Sequence, residues 1–199
     1  MLKTKAAVLV SGGGTNLQAL IDAEKAGETP HFEIALVVSN KPTAYALTRA
    51  ESAGIPALFI PSGPDFEEEL VRALDESGVE MIVLAGFLRI LSPEFIARYE
   101  GRIINVHPSL IPSFCGMGFY GLRVHEAALA RGVKVTGATV HIVTAEADAG
   151  PILLQKAVEI EEGDTPEILQ RRVMEQAEWI LLPRAAELIA QKISMEKQI

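Results

Sequence analysis

The sequence predicts an α/β protein: a doubly wound, mostly parallel sheet with antiparallel strands added late and a long C-terminal helix. Three observations predict it. Short apolar runs alternate with segments of helical spacing from the N-terminus to about residue 107, the pattern of strands joined by crossover helices. Several of those runs are apolar without alternation, as strands covered on both faces must be. Beyond them, two longer β-type runs lie close together and one long helical pattern follows.

The elements follow in order. "AAVLVS" (6–11) is the first strand, and "NLQALIDAEKAG" carries Leu17, Leu20 and Ile21 at helical spacing with Gly27 as its stop. "EIALVVSN" (33–40) is the second strand, and "AYALTRAESAG" is a helix ended by Gly54. "ALFI" is a short third strand. "DFEEELVRALDESG" is amphipathic, with acids in its first turn and Gly78 at its end. "MIVLAGF" (81–87) is the fourth strand; "SPEFIARYEG" then starts a helix with Ser92 as N-cap and Pro93 in the first turn. "RIINVH" is the fifth strand. "KVTGATVHIVTA" and "PILLQKAVEI" are read as antiparallel or mixed additions to the sheet, and a helical pattern runs from about Thr165 to Gln191, with Pro183 expected to kink or break it. Nothing resembling an internal repeat or a long linker divides the chain, so residues 1–199 are expected to form one domain of Rossmann-like architecture.

Composition narrows the function. With 199 residues, 49% of them hydrophobic, the chain can bury a sizeable core. A net charge of -8 disfavours nonspecific binding to nucleic acid or a membrane surface. The single cysteine, Cys115, permits no intrachain disulfide and suits a reducing, cytoplasmic compartment. The basic start "MLKTK" is followed by a run too short for a signal peptide, and no segment reaches the roughly 18–20 apolar residues of a membrane span.

Chemistry gathers at the strand ends, where open α/β sheets bind ligands. "SGGGTN" joins the first strand to the first helix. It reads either as a phosphate cradle at a helix N-terminus or as a plain tight turn. It is not a Walker loop, and a dinucleotide fingerprint fails because Leu17 stands where the third glycine belongs. The fifth strand ends in Asn105 and His107, two residues apart and so on one side. They place an amide and an imidazole on the rim where a phosphorylated ligand would dock. Asp148, before Ala149-Gly150-Pro151, is a turn residue or the carboxylate that fixes the imidazole's tautomer and stabilises its cation. His141 is a further candidate, though a lone strand histidine is more often structural. Four histidines and one cysteine show no metal-ligand spacing, so no metal is expected.

At these residues a family resemblance enters. "VLVSGGGTNLQALID", "VSNKPTAYALTRAESAGIP", "VLAGFLRILSPEFI", "RIINVHPSLIPSF" and "VTGATVHIVTAEADAGPILLQKAVEI" resemble the phosphoribosylglycinamide formyltransferases, folate-dependent enzymes of purine synthesis. The resemblance covers nearly the whole chain. Asn-x-His-Pro-Ser with a distant Asp-x-Gly is specific for folate-dependent formyl transfer; formyltetrahydrofolate deformylases share it, and methionyl-tRNA formyltransferases do so more loosely. The resemblance implies a catalytic trio of Asn105, His107 and Asp148. It implies a substrate phosphate at Gly13, Gly14, Thr15 and Asn16, with Pro108 beside the substrate and Glu178 at its ribose. It implies a folate pocket at Arg89, Ile90 and Leu91, with Ala145, Glu146 and Ala147 looping around the pteridine. The co-substrates implied are 10-formyltetrahydrofolate and phosphoribosylglycinamide, with no nucleic acid or membrane partner, and the chain is expected as monomer or homodimer. "FCGMGFYGLRVHEAAL" departs from the family pattern, which is shorter there, and leaves the shape of 115–124 and the role of His125 open.

Two alternatives stand beside formyl transfer. A deformylase would use the same trio on water, and a binding module would hold a phosphorylated ligand and make no use of His107. A deformylase would be expected to carry an extra N-terminal domain and the tRNA enzyme an extra C-terminal one.

Overall fold

The first strand shows why this chain makes a two-faced sheet. In the computed structural model, which describes residues 3–197, β1 (Thr4–Val10) has Ala6 through Val10 fully buried. Ala6, Val8 and Val10 enter one core, while Ala7 and Leu9 enter the other. Alternation survives as a choice between two cores, because both faces of the strand are covered.

α1 (Thr15–Lys25) and α2 (Tyr45–Ser52) pack their buried residues into the first core, and α3 (Phe66–Glu76) and α4 (Pro93–Arg98) pack into the second. Between them run β2 (Phe32–Ser39), β3 (Ala57–Phe59), β4 (Met81–Leu84) and β5 (Ile103–His107). All neighbouring pairs among these five strands are parallel. β6 (Val135–Ile142) and β7 (Ile152–Glu159) then add antiparallel, giving the order β3-β2-β1-β4-β5-β6-β7. The chain winds outward from β1 in one direction and resumes from β4 in the other. The crevice at the carboxyl ends of β1 and β4 is therefore the topological switch point, where such sheets bind ligands.

Three elements differ from expectation. β4 ends at Leu84 and not at Phe87, because Gly86 adopts φ 73°, outside extended geometry. α5 (Leu122–Arg131) was not among the expected helices; its buried residues Val124, His125 and Ala128 share one face. The C-terminal pattern does break, but not at Pro183. α6 (Pro166–Val173) opens with Thr165 capping Ile168 N, and a π turn follows over Met174–Glu178. α7 (Trp179–Glu196) then runs through Pro183. Trp179 N–H bonds Met174 O five residues back, the wider spacing of a π turn.

Candidate active site

The loop after β1 is built on one glycine. Gly14 caps α1 at φ 72°, and a Cβ there would lie 2.6 Å from Ala46 Cβ and 2.8 Å from Ala46 Cα. Only glycine combines that dihedral with that approach. Arg49 Nε donates to Gly13 O at 2.8 Å, and Ala46 N donates to Gly12 O at 3.1 Å, fastening the loop to α2. Ser11 ties three strand ends together. Its hydroxyl donates to Asn40 Oδ1 at 2.7 Å and accepts from Leu88 N at 3.0 Å, while its own N–H donates to Gly86 O.

Above these ends lies a cleft of about 680 Å³. Gly13, Gly14, Thr15, Asn16, Pro108 and Glu178 line it, as do Asn105, His107 and Asp148. Arg89, Ile90 and Ala147 line it as well, and a recess of about 140 Å³ continues from it. Asn105 and Asp148 line both spaces, so they stand at the junction. Leu91 and Ala145 border only the recess, and Leu91 is also a buried member of the second core. Glu146 lines neither space; its carbonyl accepts from Thr144 Oγ1 at 3.2 Å.

Two residues behave differently from the sequence reading. Asn16 has a partner the sequence reading did not give it: Nδ2 donates to Glu178 Oε2 at 2.6 Å, in a buried contact spanning 162 residues. Burial raises the Glu178 carboxyl to about 7, against the lowering pull of Asn16. The second is His107. It lies 3.5 Å from Asp148 Oδ2 through Nδ1, as the pairing requires, but burial outweighs the carboxylate and lowers its pKa from the ordinary value. Asp148 therefore does not by itself keep His107 cationic in the unliganded cleft.

Asp148 is held by its surroundings. Burial pushes its carboxyl up, but its polar neighbours, the Gly116 amide among them, outweigh burial and hold it below its ordinary value. Asp148 adopts φ 55°, and a Cβ at Gly150 would collide with the Ile142 carbonyl. The Asp-x-Gly spacing thus marks a tight return of the chain from β6, with the carboxylate on its inner side.

The segment left open in the sequence proves to be a wall of the cleft. Gly116, Met117, Gly118, Phe119, Tyr120 and Gly121 line it. His107 Nε2 donates to Phe114 O at 2.8 Å, and Gly116 N donates to Asp148 Oδ2 at 2.8 Å. One short stretch of backbone thus engages both members of the pair. The glycines at 116, 118 and 121, all at positive φ, were the available signal that this is a tight loop. Gln170 and Met174, also in the wall, carried no signal beyond lying upstream of Glu178. His125, in α5 just after this loop, is fully buried with both ring nitrogens unpartnered, and burial lowers its pKa to about 4. Among the described residues, no group of three or more His, Cys, Asp or Glu is arranged to hold a metal ion, and no helix is long and apolar enough to cross a membrane.

Chemically, the junction offers an amide, an imidazole and an ionised carboxylate around one point. That set can donate to a developing oxyanion and accept a proton.

Comparison with known proteins bears on which reaction this is. Residues 4–185 match the family model described as "Formyl transferase". The chain is 41% identical to the phosphoribosylglycinamide formyltransferase of Escherichia coli (strain K12) over 85% of its own length and 79% of that protein. It is 49% identical to the trifunctional purine biosynthetic protein adenosine-3 of Gallus gallus, aligning over 94% of its own length but spanning only 18% of that protein. Its fold superposes on the crystal structure of glycinamide ribonucleotide transformylase 1 from Symbiobacterium toebii with a TM-score of 0.88 and 40% identity, covering 96% of this chain and 89% of that one.

Proposed function

Because the chain belongs to the formyl transferase family, we propose that it moves the formyl group of 10-formyltetrahydrofolate to the glycyl amine of 5'-phosphoribosylglycinamide in de novo purine synthesis. The observation that carries this reading is the junction: Asn105 and Asp148 face both the glycine-loop cleft and the recess beside Arg89 and Ile90. A nucleotide on the glycine-loop side and a folate on the recess side would meet there.

The amine attacks the formyl carbon, the new C–N bond forms, and the carbonyl oxygen becomes an oxyanion. N10 of the folate then leaves as the tetrahedral centre collapses, carrying the proton that the amine gave up to Asp148. Asn105 Nδ2 donates to the oxyanion. His107 donates as well once the formyl oxygen displaces the Phe114 carbonyl from Nε2–H; catalytic hydrogen bonds often form only in the substrate complex. Each such donor contributes on the order of 3 kcal/mol. The negative charge that develops beside His107 favours its cation in the transition state, where burial alone disfavours it at rest. Asp148, ionised at neutral pH, takes the proton lost by the amine, directly or through water. No covalent enzyme intermediate is needed. Glu178 and Asn16 hold the ribose side of the nucleotide, and the α1 N-terminus with Gly13 and Gly14 holds its phosphate. We assign this activity to residues 1–199 as one domain, in the cytoplasm, where a chain with a single cysteine is at home.

The test is formylfolate consumption with and without the aminoribonucleotide. Consumption should require both substrates. An unchanged rate without the amine would mean that water is the acceptor and that the enzyme is a hydrolase.

A further inference from the structure

We infer that His141 is a positioning residue that decides which end of the Asn105 amide faces the reacting group. This rests on the formyl-transfer reading above only for its kinetic consequence; its structural content stands apart.

The fold brings the two together. β5 and β6 are antiparallel, and their register sets Asn105 directly opposite His141. Cross-strand partners on one face are close enough for their side chains to meet. The His141 ring is 2% exposed, so solvent does not choose its tautomer. Its Nδ1 lies 2.9 Å from the Ile142 carbonyl oxygen. A carbonyl only accepts, so Nδ1 carries a hydrogen. A neutral imidazole has one N–H, which leaves Nε2 as a bare acceptor.

Two polar atoms face that nitrogen. Asn105 Nδ2 is 3.2 Å away, and Asp148 Oδ1 is 3.5 Å away. The carboxylate offers a bare nitrogen nothing but lone pairs. The amide supplies the hydrogen, and only one orientation does so: turned over, its oxygen would oppose the Nε2 lone pair. Locking one N–H onto His141 commits Nδ2 to this end of the side chain and leaves its second N–H for a ligand at the junction. The reversed amide would present an oxygen to a developing oxyanion and oppose the reaction. His141 thus acts through Asn105, without itself touching the formyl group.

The experiment combines spectroscopy and kinetics on the full chain. The 15N spectrum of histidine-labelled protein at neutral pH, with His141 assigned by its loss in His141→Gln, should show Nδ1 protonated and Nε2 bare. In the kinetic arm, His141→Leu removes the acceptor and His141→Gln retains one in its side-chain oxygen. His141→Leu should lower kcat on the order of 10- to 100-fold, less than the roughly 100- to 1,000-fold for removing an oxyanion donor outright because the amide is released and not lost, with both KM values little changed. His141→Gln should recover most of that loss. In an Asn105→Ala background, His141→Leu should cost nothing further. A protonated Nε2, equal kcat for the leucine and glutamine variants, or full additivity with Asn105→Ala would each overturn the assignment. Should His141→Leu fail to fold, the tautomer read from the spectrum still decides it. A parent protein with no formyl transfer would refute the proposed function, while the spectrum would report on the Asn105–His141 contact independently.

Discussion

Replacing Glu178 with glutamine should make the unliganded protein more stable at high pH while impairing nucleotide use. Glu178 is 5% exposed and its carboxyl is raised from 4.5 to about 7, chiefly by burial. The folded chain therefore binds this proton more tightly than the unfolded chain does. Below pH 4.5 the group is protonated in both states and imposes no penalty. The penalty grows as pH rises through the interval and is complete above about 7. At 1.36 kcal/mol per pH unit, the full interval amounts to about 3 kcal/mol. Glutamine never ionises, and its side-chain oxygen can still accept from Asn16 Nδ2. In urea unfolding, Glu178→Gln should exceed the parent by about 3 kcal/mol at pH 8 and by under about 1 kcal/mol at pH 5. The same variant should raise KM for the aminoribonucleotide, because a carboxylate is a stronger acceptor for ribose hydroxyls than an amide oxygen. A gap of equal size at both pH values, or a destabilised variant at pH 8, would show that Glu178 is not a buried carboxyl titrating near neutrality.

Asp148→Asn should leave the fold intact, since an amide oxygen can still accept from Gly116 N, but lower kcat by at least about 100-fold for loss of the proton acceptor; turnover within twofold of the parent, with both ligands bound by calorimetry, would reduce Asp148 to a turn residue. His107→Asn should also impair turnover, and the double variant should cost less than the sum of the singles, as groups acting as a unit do. Gly14→Ala should destabilise by about 2–4 kcal/mol through its left-handed dihedral and the clash with Ala46, whereas Gly12→Ala, with no atom within 4 Å of its Cβ, should cost under about 0.5 kcal/mol in the same denaturant titration. Asn16→Ala should weaken nucleotide binding more than folate binding in calorimetry, by loosening Glu178; equal losses for both ligands would detach Asn16 from the nucleotide side.

Much of the site was legible because it sits where the chain changes structure. Asn105 and His107 announce themselves as two polar residues ending an apolar strand, and the glycines after β1 mark the loop beside them. The partners of these residues were not legible, since they depend on contacts far apart in sequence. Nothing local in "TNLQ" says that Asn16 spends its amide on Glu178, and nothing in "GATVHIV" says that His141 lies across from Asn105 until the antiparallel register is known. Pro183 was expected to kink or break the last helix; the helix runs through it, and the break falls earlier, at residues 174–178. The end of β4 was overrun because "AGF" continues the apolar composition while Gly86 turns the backbone away.

That earlier irregularity has a consequence for how this chain tolerates changes of length. In a regular helix each residue advances the direction of the next by about 100°, so a deletion rotates everything beyond it relative to everything before. A π turn holds one residue more than an α turn needs, and here it lies between α6, anchored by Leu169 and Val173, and α7, anchored by Leu182, Ala185 and Ala186. Removing one of the exposed residues Glu175 or Gln176 would let the turn relax to α geometry with both anchored faces still in phase and Glu178 still aimed at Asn16. The same deletion one turn further along, inside α7, would swing the buried face out of the core. The helix thus contains one place where its length is adjustable, immediately ahead of the acid that the cleft depends on.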